Sequence, residues 1–193
     1  MRHVRTDAHA PDPRRRRTRE ALVSAFVLLA LHRRYHEIRV GDILEVSGIG
    51  RSTFYEHFAG KDAVLAASMG DALSRLAKMS TGETTVQQAA MLLAHFWSNR
   101  AMAPGVFQGA AYRVVRNALV GQVEDALKHR DAGRLRLPRR LAAHALADGV
   151  LSPIAAWLAG DAACTPVDLA TALHDASRAS LASMLVASAC ARS

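Results

Sequence analysis

The segment Val40–Phe58, VGDILEVSGIGRSTFYEHF, constrains this chain more than any other part of it. Ile43, Val46, Ile49, Phe54 and Phe58 recur at spacings that place them on the facing sides of two short helices. Between the helices, Gly48-Ile49-Gly50 supplies a tight turn, with Gly48 where the first helix must end in a left-handed residue. This is the plan of a helix-turn-helix, whose second helix is slim enough to enter a DNA major groove. The outward positions of that second helix, Arg51, Ser52, Thr53, Tyr55 and His57, are polar, and each can donate a hydrogen bond.

The rest of the 193 residues reads as helix throughout. Residues 1–11 have no apolar period and are expected to form a flexible basic arm. Asp12 and Pro13 then read as an N-cap followed by proline at the first helical position, opening a helix to about residue 34 that turns Leu22, Ala25, Phe26 and Leu29 inward. Further helices are predicted at about 40–47, 51–58, 61–79, 84–99, 103–110, 111–131, 138–159 and 166–190, separated by glycine and proline. No stretch alternates with period two over a strand's length. The class is therefore all-α, with a helix-turn-helix domain over residues 12–62 and a helical domain over residues 63–193, joined by the helix at about 61–79.

The net charge of +8 and a sequence pI near 10.5 favour a polyanionic partner. Charge alone does not place the site, because residues 1–62 hold 12 of the 25 Lys and Arg, close to half. Arg14, Arg15, Arg16 and Arg17 lie at the start of the first helix, where its dipole disfavours cations, so they either reach phosphates or form a solvated face. With two cysteines, Cys164 and Cys190, and no Cys-x-x-Cys pair, neither a disulfide scaffold nor a zinc finger is supported. A cytoplasmic protein with no membrane-spanning segment is expected. His95, His144 and His174 share no metal-ligand spacing, no catalytic arrangement is recognisable, and so no metal, cofactor or enzymatic activity is assigned.

The run Ile43 to Lys61, with S-G-I-G-R-S-T-F-Y-E-H-F and a lysine three residues later, resembles the DNA-binding signature of the tetracycline-repressor (TetR) family. The resemblance is specific over about residues 14–70 and architectural beyond. It implies a transcriptional regulator, most simply a repressor released from a palindromic double-stranded DNA operator by a small-molecule effector. It implies base contacts from Arg51, Ser52 and Tyr55, and phosphate contacts from Thr53, His57 and Lys61, joined by Arg14–Arg17. Arg39, Gly50 and Gly60 stand where serine or threonine would commonly cap helices two, three and four. The alternative is an architectural protein that binds DNA without regard to sequence.

The second half follows the same implication. Met91, Phe96, Trp97, Met102, Phe107 and Tyr112, with Arg113 beside them, form either a small-molecule pocket or filled core. Ala143, Ala147, Val150, Ile154 and Trp157 follow alternating four- and three-residue steps, the spacing of a packing seam. With Leu173, Ala176 and Met184 they are expected to make a homodimer interface, the alternative being that these helices fold back within one chain. Pro153 is expected to kink the helix that carries it. On this reading the two tryptophans occupy separate regions, Trp97 in the pocket and Trp157 on the seam.

Overall fold

A computed structural model describes residues 12–129 and 135–186, without the side chains of residues 102–104 and 129; the predicted basic arm lies outside it. The described residues form ten α-helices: α1 (Pro13–His32), α2 (Val40–Ser47), α3 (Arg51–His57), α4 (Lys61–Ser68), α5 (Gly70–Ser80), α6 (Val86–Ser98), α7 (Ala103–Phe107), α8 (Gly109–His129), α9 (Arg139–Ala159) and α10 (Pro166–Met184). The only extended pairing among them is an isolated bridge between Leu135 and Leu185.

The local chemistry explains most boundaries. Asp12 caps α1 by accepting the Arg14 N–H at 3.0 Å. Gly48 ends α2 at φ 67°, a conformation open to glycine and costly for residues with a Cβ. Thr85 and Gln88 form a reciprocal capping box at the start of α6, a sequence signature that accounts for that helix beginning two residues later than expected. Two boundaries differ from the sequence reading in substance. The helix expected over 61–79 is interrupted at Met69, next to Gly70, a poor helix former. The final helix stops at Met184 rather than running to about 190, because Leu185 turns extended to meet Leu135.

α1, α2 and α3 close on Leu22, Phe26, Ile43, Phe54 and Phe58, all buried. Ile49 packs against this core from a half-buried position, whereas Val46, expected between the two helices, is 48% exposed. α4 packs against both α1 and α8, and so joins the three N-terminal helices to the larger helical body. In that body α9 is inserted among α5, α8 and α10. Its composition is apolar enough to cross a membrane, but half of the most apolar stretch is buried inside the chain, as befits a core helix. It runs through Pro153 as one helix.

Phe54 is wholly buried and touches the rings of both Tyr55 and Phe58. Phe54→Ala is expected to cost about 3–5 kcal/mol, whereas Ser52→Ala on the exposed side of the same helix should stay within about 0.5 kcal/mol. Urea denaturation of the two variants checks the difference.

Candidate nucleic-acid interface

α3 presents two faces of opposite character. Phe54 and the following Phe58 are buried against α1 and α2, which fixes the helix about its own axis, and Arg51, Ser52 and Tyr55 are left exposed, Tyr55 at 52%. Thr53 and His57 are half-buried and line an open cleft together with Arg14, Arg15 and Thr18 of α1. The sequence-predicted base-reading and phosphate-holding residues of α3 are thus displayed on one short helix beside the arginine-rich start of α1. The exposed Glu56 lines the same cleft.

The arginines of α1 are not equivalent. Arg16 pairs with Glu20 one turn on, at 3.5 Å between exposed side chains. Arg19 is exposed but engaged: its guanidinium lies 4.4 Å from the centroid of the Phe58 ring and donates to the His57 carbonyl at 3.5 Å, so it braces α3 against α1. Arg14, Arg15 and Arg17 are exposed and make no ion pair among the described residues.

Lys61 is the predicted phosphate contact whose setting differs most from expectation. Its ammonium donates to the carbonyls of Tyr35 at 2.9 Å and Ile38 at 2.8 Å and lies 4.5 Å from the Tyr35 ring centroid. Only one of its three donors remains for a phosphate. The Tyr35 hydroxyl in turn donates to Asp62. Burial first, then that hydrogen bond and the Asp62 charge, push the phenol well above its ordinary value. The loop between α1 and α2 is therefore tied to the start of α4 by one cation and one phenol.

The N-terminus of α2 is satisfied without the side-chain cap that the sequence lacks at Arg39. Asp42 reaches back to accept the Arg39 N–H at 2.7 Å and pairs with Arg33 at 3.2 Å. That backbone N–H, and then the guanidinium, hold the Asp42 carboxyl below the ordinary carboxylate range.

The pocket expected in the second half is rearranged. A cavity of 380 Å³ lies between α1, α4, α6 and α7, and of the predicted residues Phe96 and Phe107 line it. Met91 is 66% exposed and Arg113 is exposed, because both fall on the outer sides of their helices. Tyr112 packs against the core, and the Met102 side chain lies outside the described residues. Trp97 does not line this cavity; it stacks on Trp157 with centroids 4.7 Å apart and planes 23° from parallel. The two tryptophans therefore share one site, and Trp157 also donates its indole N–H to the Cys164 carbonyl at 2.9 Å.

The predicted dimer seam is likewise internal. Ala143, Ala147, Val150, Ile154 and Trp157 are each no more than 3% exposed within the single chain, and Leu173 is 5% exposed. Their helix-packing periodicity is real, but it serves α5, α8 and α10 of the same chain, the fold-back alternative. Of the residues assigned to the interface, Ala176 is exposed and Met184 half-buried. One polar cluster was not foreseen: Arg116 on α8 forms a forked pair with Asp148 on α9 and approaches His144 Nδ1 at 3.2 Å. Periodicity along one helix does not reveal a pair between two.

No protein-family model matches the chain. A stretch of 50 residues, 25% of the chain, is 48% identical to the uncharacterized HTH-type transcriptional regulator YxbF of Bacillus subtilis strain 168, of which it covers 13%. Among solved structures, a TetR transcriptional regulator from Streptococcus agalactiae 2603V superposes with a TM-score of 0.54 at 22% identity, over 86% of this chain and 96% of that one. A putative TetR-family regulator from Syntrophomonas wolfei superposes with a TM-score of 0.55 at 14% identity, over 90% and 99%. The architecture is that of an all-helical body bearing an N-terminal helix-turn-helix. More particularly, the chain has the TetR-family fold, and the resemblance carried by Ile43–Lys61 is borne out at that level.

Two outcomes follow from the tie around Lys61. Lys61→Ala should lower the stability of the free protein by about 1–3 kcal/mol, as loss of charge-assisted hydrogen bonds requires, whereas a lysine that served phosphate alone would leave it unchanged; thermal unfolding without DNA separates these. A phenol held more firmly in its protonated form by the fold contributes stability that is fully present below the unfolded-state value, about 10, and is lost as pH rises above it. Stability should therefore fall from pH 10 upward more steeply in the natural protein than in Tyr35→Phe, by urea denaturation across that range.

Proposed function

We propose that the chain is a transcriptional regulator rather than an enzyme, a cytoplasmic homodimer that binds a palindromic operator through α3 and is released from it by a small molecule. The observation that carries the reading is the two-faced α3: buried Phe54 fixes the helix, and Arg51, Ser52 and Tyr55 stand exposed on it beside Arg14, Arg15 and Arg17, which make no ion pair among the described residues. Arg51 suits bidentate contact with guanine, Ser52 and Tyr55 further base-edge contacts, and Thr53, His57 and the arginines of α1 suit phosphates. Lys61 contributes its remaining donor to a phosphate while holding the loop before α2. Residues 12–62 serve as the DNA-binding unit and residues 63–193 as the effector-binding and dimerising unit.

The buried α9 seam moves the proposed dimer contact to the outer sides of the last two helices. Leu141, 54% exposed, with Ala145, Gly149 and Ser152 of α9, and Ala176 and Ala179 of α10, are among the exposed residues left to a partner there. A Cβ placed at Gly149 would meet nothing within 4 Å beyond its own helix backbone, so a second helix could approach that backbone closely.

Selection of DNA from a random pool by the purified protein tests the reading, and a two-fold symmetric consensus is expected. Arg51→Ala should then cost about 1–3 kcal/mol at the selected site and relax one position in each half. Selection without any consensus would favour sequence-blind architectural binding and overturn the proposal.

A further inference from the structure

The cavity between α1, α4, α6 and α7 is apolar around most of its wall, with Phe26, Ala30, Leu65, Phe96, Val106 and Phe107 contributing. Its polar groups are mostly engaged. The Tyr35 hydroxyl is given to Asp62, the Ser68 hydroxyl to the Leu65 carbonyl, and the Asn99 amide to the His95 carbonyl. None of the described lining residues is acidic, and the cations among them are Arg33 and, when protonated, His95. An apolar chamber with an arginine side chain on its lining and no carboxylate suits a molecule with a hydrocarbon body and one anionic end.

Arg33 also has a second engagement. It is the last residue capping α1, where its N–H bonds to the Leu29 carbonyl, and its guanidinium pairs with Asp42, the residue that satisfies the start of α2. One side chain therefore borders the cavity and holds the first helix of the helix-turn-helix to the end of α1.

We propose that this cavity binds an apolar monocarboxylate whose carboxylate takes the Arg33 guanidinium from Asp42, so that occupancy loosens α2 from α1 and lowers affinity for DNA. The proposal deepens the regulatory reading and rests on it for the coupling to DNA, though not for the binding site. The chamber belongs to the junction of the two units, since α1 supplies one wall and α6 and α7 another. Coupling is reciprocal: DNA must weaken the carboxylate by the same factor as the carboxylate weakens DNA.

The probes are octanoate, octanol and octylamine, titrated into the full chain by calorimetry. Octanoate should bind about tenfold or more tightly than octanol, as a charge-assisted contact requires, and octylamine should bind most weakly. Arg33→Gln should abolish the advantage of octanoate and leave octanol unchanged. Asp42→Asn, which removes the competitor for Arg33, should tighten octanoate. Ala72→Phe, whose new ring would fill the cavity, should remove binding of all three while circular dichroism remains helical. Octanol binding as tightly as octanoate, or an unchanged preference in Arg33→Gln, would overturn the anionic assignment; absence of binding by all three would overturn the site. DNA selected by the protein, titrated with and without octanoate, reports the coupling separately. A protein that binds octanoate through Arg33 yet selects no DNA sinks the regulatory reading while the site stands. Selected DNA whose affinity octanoate does not alter sinks the coupling.

Discussion

The ammonium of Lys61 is the point on which the geometry of the N-terminal half depends. α2 and α3 are short, and helices of eight and seven residues have little stability of their own. Their position comes from what they are packed against and from where the chain enters and leaves them. Lys61 fixes the entry by holding the carbonyls of Tyr35 and Ile38, just before α2, and it is itself the first residue of α4, just after α3. A single cation thus joins both ends of the two-helix unit, and the bond from Tyr35 to Asp62 repeats the tie one residue along α4. The weak caps at Gly50 and Gly60 become tolerable in that setting, because the unit is closed by this tie as well as by its helix termini.

The second half is organised differently, by an apolar helix surrounded on several sides. α9 buries Ala142, Ala143, Leu146, Ala147, Val150, Leu151 and Ile154 within the chain. Small residues along it let neighbouring helices come close, and near its C-terminal end Trp157 stacks on Trp97 of α6. Arg100, 4.6 Å from the Trp97 ring centroid, covers that stack from outside. Leu158, next to Trp157, lines the proposed ligand cavity, so the aromatic pair and the chamber share a wall. Shape in this body is therefore transmitted by packing, whereas in the N-terminal unit it is transmitted by charged and polar ties.

That contrast explains what was legible in the sequence. Boundaries set by local chemistry could be read residue by residue: Asp12-Pro13 at the start of α1, Gly48 after α2, Gly160 after α9. The assignment of Ile43, Phe54 and Phe58 to the core followed from helical spacing alone. Val46 has the same spacing yet is exposed, because one residue's step around so short a helix already leaves the buried side. Beyond the helix-turn-helix, periodicity could show that α9 carries a packing seam but not against whom, since an intrachain and an intermolecular neighbour require the same residues. The cavity was missed for a related reason: its walls come from α1 and from α4 to α7, helices distant in sequence, and a cluster of aromatics near residues 91–112 points only to one of those walls.

The dispersal of the positive charge resolves in the same terms. A count of Lys and Arg treats every cation as available to a polyanion, but the fold commits several of them. Arg19 lies on Phe58, Lys61 gives two donors to backbone carbonyls, Arg33 faces Asp42, and Arg116 is forked onto Asp148. These side chains position helices, and their charge is partly neutralised or turned inward. Arg14, Arg15, Arg17 and Arg51 are exposed and without ion pairs among the described residues, and Arg14 and Arg15 line the cleft between α1 and α3. The salt dependence of DNA binding counts only phosphates neutralised at an interface, so on the proposed reading it follows from the exposed cations near α3 rather than from the net charge of +8.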